Sequence, residues 1–240
     1  MSFPFTLSSG AAPRAIVFDL DETLIAGDST VLWTEWLYET KTVSDPFYRD
    51  ITARMVEQYQ AGVLDIQDFL HNSLTAIQHL KTSELDRLIE LFVQNKILPR
   101  IYPQGIKLLA NATLDAIPVI IISATASFIV KPIAAKLGIH EAIGIDLATK
   151  NSLPTGDIIG IPSFREGKVL RLAEWLDHKN QESDFFGPPL TAADVFFFTD
   201  SHNDLSLACL AGGCALVNPD SAISKEGKKY GWYELKWSLQ

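Results

Sequence analysis

The chain has little cysteine, no long apolar run and a deficit of positive charge, and each shortage narrows what it can be. Cys209 and Cys214 are the only cysteines among 240 residues. Two thiols are too few for a disulfide framework, and a zinc site would need further Cys or His ligands nearby. They read as two small buried residues in a reducing compartment. No segment approaches the roughly 20 consecutive apolar residues that cross a bilayer. The N-terminal MSFPFTLSSGAAPR lacks the basic and long apolar regions of a signal peptide, so residues 1–13 read as a short, loosely held leader and the location as cytoplasmic. Twenty Lys and Arg against 29 Asp and Glu give a net charge of −9. That balance argues against nucleic acid or an anionic membrane as partner. A phosphorylated substrate is still allowed, because a bound cation inverts the local field.

What is present is apolar bulk. Hydrophobic residues make up 47% of the chain, enough for a sizeable core in one domain with a large insertion, or in two small ones. Ala15-Ile16-Val17-Phe18 is too short for a helix and is followed at once by acids, the pattern of a buried parallel strand. Pro118 to Ile122, Val195 to Phe198 and Cys214 to Val217 look alike, and each ends in polar residues. Buried strands separated by helical patterns imply an α/β fold with a doubly wound, mostly parallel sheet. Such sheets take ligands at the C-terminal ends of their strands.

Between Asp28 and Leu98 the pattern changes. Leu85, Leu88, Ile89 and Phe92 recur at helical spacing, with similar patterns around Trp33 to Leu37 and Ile66 to Leu74. Nothing here resembles a buried strand. Residues 28–98 therefore read as an all-helical insertion, and residues 14–27 and 99–240 as the core, with Pro99 and Pro103 marking the return. Val169, Leu172, Ala173 and Leu176 predict a later helix. Residues 146–161, with Pro154, Gly156 and Gly160, predict a β-hairpin flap.

Two acidic clusters follow strand-like runs: Asp19-Leu20-Asp21-Glu22-Thr23 and Asp200-Ser201-His202-Asn203-Asp204. Asp and Asn commonly end strands and cap helices, which explains any one of these acids. It explains poorly two spaced pairs, each directly after a short apolar strand. In a doubly wound sheet both clusters can open onto one crevice, where several carboxylates must raise each other's pKa or share a cation. With hard oxygen ligands and no His or Cys cluster, the cation of choice is Mg²⁺.

With these motifs the chain resembles the haloacid dehalogenase superfamily, and within it the phosphoserine-phosphatase-like subfamily IB. The motifs occur in family order: DLDET at Asp19 to Thr23, Ser123 after PVIII, Lys168 in EGKV, and DSHND at Asp200 to Asp204. The resemblance implies a core capped by a helical domain and a Mg²⁺-dependent phosphomonoester hydrolase working through an aspartyl phosphate. It makes Asp19 the nucleophile and Asp21 the acid that protonates the leaving group and then activates water. Asp19, the backbone carbonyl of Asp21 and Asp200 would hold the metal, with Asp204 acting on it directly or through water. Ser123 and Asn203 would meet the phosphate, and Lys168 would neutralise its charge and keep Asp19 ionised. His202 reads as an exposed loop residue.

The substrate is implied less sharply. Asp28 corresponds to the acid that contacts the substrate amine in phosphoserine phosphatases; it also suits a helix N-cap. The arginine that grips the serine carboxylate in those enzymes falls at or near Ser73, and no Lys or Arg lies between Gly62 and Leu80. Arg49, Arg54 and Arg165 remain as alternatives from elsewhere. Residues 28–98 carry eleven acids against six bases. This charge favours an amine-bearing or neutral small-molecule phosphomonoester, with histidinol phosphate as a candidate beside phosphoserine-like esters. A phosphotransferase using an alcohol acceptor, and a phospho-ligand binding protein without turnover, are the alternatives.

Overall fold

Four wholly apolar residues, Ala15–Phe18, form strand β1 at the centre of a six-stranded sheet. A strand covered on both faces needs an apolar side chain at every position, and none of these four is exposed. The computed structural model describes residues 3–182 and 187–240, so the first two residues of the expected leader and residues 183–186 of the expected core lie outside the described residues. After β1 come β2 (Val119–Ala126), β3 (Glu141–Ile145), the antiparallel hairpin of β4 (Leu147–Lys150) and β5 (Leu153–Ile158), then β6 (Val195–Thr199), β7 (Gly213–Val217) and β8 (Tyr233–Leu235). The sheet order is β3-β2-β1-β6-β7-β8, and every neighbouring pair is parallel.

From β1 the chain first builds one side of the sheet and then crosses to the other. That reversal lies between β1 and β6, where ligands bind in such sheets. Alternate side chains of the strands feed two cores. Ile16, Phe18, Phe196 and Phe198 face helices α5 (Pro103–Leu114) and α6 (Ser127–Lys136). Val17, Val195, Phe197 and Leu216 face α7 (Glu166–Gln181), α8 (Leu205–Leu210) and α9 (Ser221–Tyr230). Two strands went unread in the sequence. β3 is only five residues long and β8 three, with Tyr233 and Glu234 exposed, so neither carries a buried apolar run.

The insertion is helical as expected: α1 (Ser29–Glu39), α2 (Phe47–Gln60), α3 (Ile66–Ser73) and α4 (Thr82–Phe92). Two short irregular turns, Val93–Ile97 and Leu98–Arg100, return the chain to the core. The outgoing and returning segments are tied together. Ala26 N–H donates to the Arg100 carbonyl at 2.8 Å and Tyr102 N–H to the Leu24 carbonyl at 3.0 Å. The flap is present as β4–β5 and is fastened to the insertion, where Gln67 and Gln78 donate to the carbonyls of Gly156 and Pro154.

Two expectations fail. The leader is not loosely held: Leu7 is buried, and Phe5 stacks on Phe196 with ring centroids 5.2 Å apart. Three of its apolar side chains, Phe3, Phe5 and Leu7, extend the core cluster on the Phe196 and Phe198 face. The cysteines are both free thiols, but only Cys214 is buried; Cys209 lies on the outward side of the short helix α8. Among the described residues no helix is long and apolar enough to cross a membrane.

Candidate active site

The C-terminal ends of β1 and β6 deliver Asp19 and Asp200 to one crevice, the second half of β2 brings Ser123 beside Asp21, and the N-terminal end of α7 adds Lys168. Lys168 Nζ donates to Asp19 Oδ1 at 2.8 Å and to Asp204 Oδ2 at 2.7 Å. Burial pulls the lysine pKa down, but Asp19 and Asp204 more than offset it, so the ammonium is held above its usual value. Asp204 also accepts from the Thr199 hydroxyl at 2.8 Å, while its Oδ1 is buried with no partner. Burial is likewise the main reason that Asp19 is pushed up to about 7, with Lys168 opposing the rise and Asp204 and Asp21 adding to it. Asp200 is raised for the same reasons: burial first, then Asp19 and Asp204. The Thr23 hydroxyl donates to it at 3.1 Å.

Asp21 is held from two sides. The N–H of Ser29, first residue of α1, donates to Oδ1 at 2.6 Å, and the Thr125 hydroxyl donates to Oδ2 at 2.7 Å. Ser123 reaches the same Oδ2 only at 3.5 Å; its oxygen also accepts the Thr125 N–H. Burial raises Asp21 to about 6, with Asp28 adding to the rise and the Ser29 and Thr125 bonds opposing it.

Above these acids lies a cavity of about 120 Å³ between core and insertion. Asp19, Asp21, Glu22, Asp28 and Asp200 mark its polar end; Trp33, Tyr48, Tyr59, Phe69 and Phe128 supply its aromatic wall. Among the described residues its lining includes no Lys, Arg or His. Ser73 lines it with no arginine in its place. Arg49 is instead engaged at the surface by Glu35, and Arg54 is exposed.

Asp28 lines the cavity and also caps α1, its Oδ1 accepting the N–H groups of Thr30 and Val31. Asn203 and Arg165 are not among the cavity's lining residues. Arg165 Nε donates to Asn203 Oδ1 at 3.3 Å, and Asn203 Nδ2 donates to the carbonyl of Tyr59 in α2, which ties the fourth motif to the insertion. The four acids do not gather into one ligand cluster: among the described residues no three Asp, Glu, His or Cys side chains converge as a metal site. Asp204 is turned to Lys168, and the Asp21 carboxylate to Ser29 and Thr125. His202 is exposed, as its loop position suggested.

Two contributors were missed in the sequence. Thr125 is a second hydroxyl two residues beyond Ser123 in the same strand, a spacing that could have flagged it. Tyr59 ends an α2 stripe of Ile51, Met55 and Tyr59 at fourfold spacing, narrow enough to be hidden among polar residues.

The parallel sheet, the acidic crevice at its switch point and the helical insertion over it define a capped α/β enzyme with a site built for a charged group. The chain belongs to the haloacid dehalogenase-like hydrolase family, which it matches over residues 16–208. It is 34% identical over 230 residues to a histidinol-phosphatase of Neisseria meningitidis, covering 92% of this chain and 97% of that protein. A phosphoserine phosphatase of Mycobacterium tuberculosis is 26% identical over 230 residues, 91% of this chain and 69% of its own. A protein of unknown function from Bordetella pertussis superposes with a TM-score of 0.82 at 28% identity, over 96% of this chain and all of that one.

Proposed function

We propose that the protein hydrolyses a small-molecule phosphomonoester through a phosphorylated Asp19, and that histidinol phosphate is its substrate. The observation that carries the substrate reading is the cavity, walled by aromatic and aliphatic side chains, acidic at one end and, among the described residues, without a basic side chain. An imidazole suits aromatic walls, and an ammonium suits Asp28 and Glu22. A substrate carboxylate would find no Arg partner there, which weighs against phosphoserine. The likeness to the Neisseria histidinol-phosphatase points the same way.

In the first step an Asp19 carboxylate oxygen attacks phosphorus, the ester P–O bond breaks, and the leaving oxygen takes a proton from Asp21. In the second, water attacks phosphorus, Asp21 takes its proton, and the bond to Asp19 breaks to release phosphate. Lys168 neutralises part of the developing charge beside Asp19.

The donor set fits Mg²⁺. The Asp19 and Asp200 carboxylates and the Asp21 carbonyl are hard oxygens, and buried acids that push each other's pKa upward favour a cation. Few protein ligands are needed, because Mg²⁺ keeps several waters. When bound, it would screen the charge between Asp19 and the phosphate.

Phosphate release from histidinol phosphate, phosphoserine, a sugar phosphate and p-nitrophenyl phosphate, with and without Mg²⁺, tests the reading. The expected result is Mg²⁺-dependent release, fastest from histidinol phosphate and lost in Asp19→Asn. Preference for phosphoserine would overturn the substrate, and full activity in Asp19→Asn the nucleophile.

A further inference from the structure

Asp21 must present one carboxyl oxygen to a leaving group and later to water, and something must fix its orientation. Ser123, the second-motif hydroxyl, is a poor candidate at 3.5 Å. Thr125 is 2.7 Å from the same oxygen and is itself buried. Its hydroxyl has one proton. If that proton goes to Asp21, the 3.2 Å contact with Ser29 must run from the Ser29 hydroxyl to Thr125 Oγ1. The result is a directed relay, Ser29 to Thr125 to Asp21, that joins the first turn of α1 to the core. The Ser29 N–H holds the other carboxyl oxygen at 2.6 Å, so both ends of Asp21 are fixed.

The backbone explains how a strand residue is aimed this way. The pairing of β2 with β3 shifts register between Ile122 and Ala126, and Thr125 lies in the shifted stretch. Such irregularities re-aim side chains beside active sites. Gly144 of β3 packs against that stretch so tightly that a Cβ there would lie 2.5 Å from the Thr125 carbonyl oxygen. The strand is held in place at Thr125, and its side chain faces the cavity.

We propose that Thr125 is a positioning residue for Asp21, orienting it to protonate the departing oxygen. The proposal rests on the hydrolase reading above. A correctly placed acid matters most when the leaving group is a poor one. An alkyl ester needs the proton, whereas p-nitrophenolate departs largely without it. The discriminating quantity is therefore the ratio of kcat/KM for histidinol phosphate to that for p-nitrophenyl phosphate, which isolates the step in which the leaving group departs.

Thr125→Val keeps the shape and removes the hydroxyl. It is expected to lower that ratio by about 10- to 100-fold, a part of the 10²–10⁴ that general acids contribute. Thr125→Ser, which keeps the hydroxyl, should return the ratio to within about threefold of wild type. Thr125→Ala serves if the valine does not fold, and the same fall is expected. An equal loss on both esters, or none on either, would overturn the proposal, because a merely structural role does not distinguish leaving groups. A wild-type protein that releases no phosphate from either ester would instead fault the hydrolase reading.

Discussion

Lys168 Nζ donates to Asp204 Oδ2 at 2.7 Å, and each of the two side chains is only 1% exposed. Lys168 also holds Asp19, so a single ammonium supports two buried acids, one directly after β1 and one in the turn that leads into α8. Removing one partner of a buried pair leaves the other charged and without solvent, which costs more than the pair contributes when intact.

Lys168→Met should therefore fail in two ways. Phosphate release should fall by several orders of magnitude, and stability by about 3–5 kcal/mol, the usual cost of breaking a buried ion pair. Adding Asp204→Asn to that variant should recover part of the stability and none of the activity. Urea unfolding beside a phosphate assay checks both. Unchanged stability in the single variant would mean that Lys168 is not structurally required.

Mg²⁺ should stabilise the folded chain in the absence of substrate. A ligand at 100 times its Kd adds about 2.7 kcal/mol when it binds the native state alone. A rise in Tm of several degrees with Mg²⁺ is expected, with little effect from equal ionic strength of Na⁺. In Asp200→Asn the rise should largely vanish, because a carboxylate in the proposed ligand set is gone. A Mg²⁺ response that survives in that variant would remove Asp200 from the set.

Acid should weaken the protein through Asp146. Burial acts to raise its pKa, but the Ser127 hydroxyl, Arg171 and Lys131 outweigh burial and hold it below the ordinary 3.8. A carboxylate depressed in the folded state contributes stability above its unfolded pKa and loses it as pH falls through the folded one. Asp146→Asn should thus lower Tm at pH 7, and the gap to wild type should narrow as the pH is taken down toward 3. A gap that stays constant between those pH values would show that the ion pairs with Arg171 and Lys131 carry no net stability.

Much of this architecture was legible because burial on both faces leaves a plain mark. β1, β2, β6 and β7 are apolar runs that end in polar residues, and the acids after them stand where an open parallel sheet binds ligands. The insertion was legible from the spacing of Leu85, Ile89 and Phe92. What escaped depends on direction rather than pattern. Asn203 and Arg165 belong to motif-bearing segments, yet they turn toward the insertion and each other, and no sequence period reports a rotamer. The leader's Phe3, Phe5 and Leu7 pack on the far-off pair Phe196 and Phe198, a long-range contact that short polar-flanked runs do not announce. Thr125 acts through a shift in strand register that is not visible before the strands pair.

The absence of a basic side chain from the cavity's lining among the described residues gives the sharpest test of substrate choice. Ser73 lines the cavity where an arginine could face a substrate carboxylate, and it is half-buried in the short helix α3. Ser73→Arg would place a bidentate cation in a lining otherwise apolar, hydroxyl-bearing and acidic. A charge-assisted hydrogen bond contributes about 1.5–3 kcal/mol, which is roughly 10- to 100-fold in kcat/KM. Phosphoserine turnover should therefore rise by about that factor relative to histidinol phosphate, which shares the ammonium but has no carboxylate to meet the new charge. Steady-state kinetics on the two esters measures the ratio directly. If the variant stays folded and the ratio does not move, the ester's non-phosphate end is bound elsewhere, and the cavity cannot be what selects it.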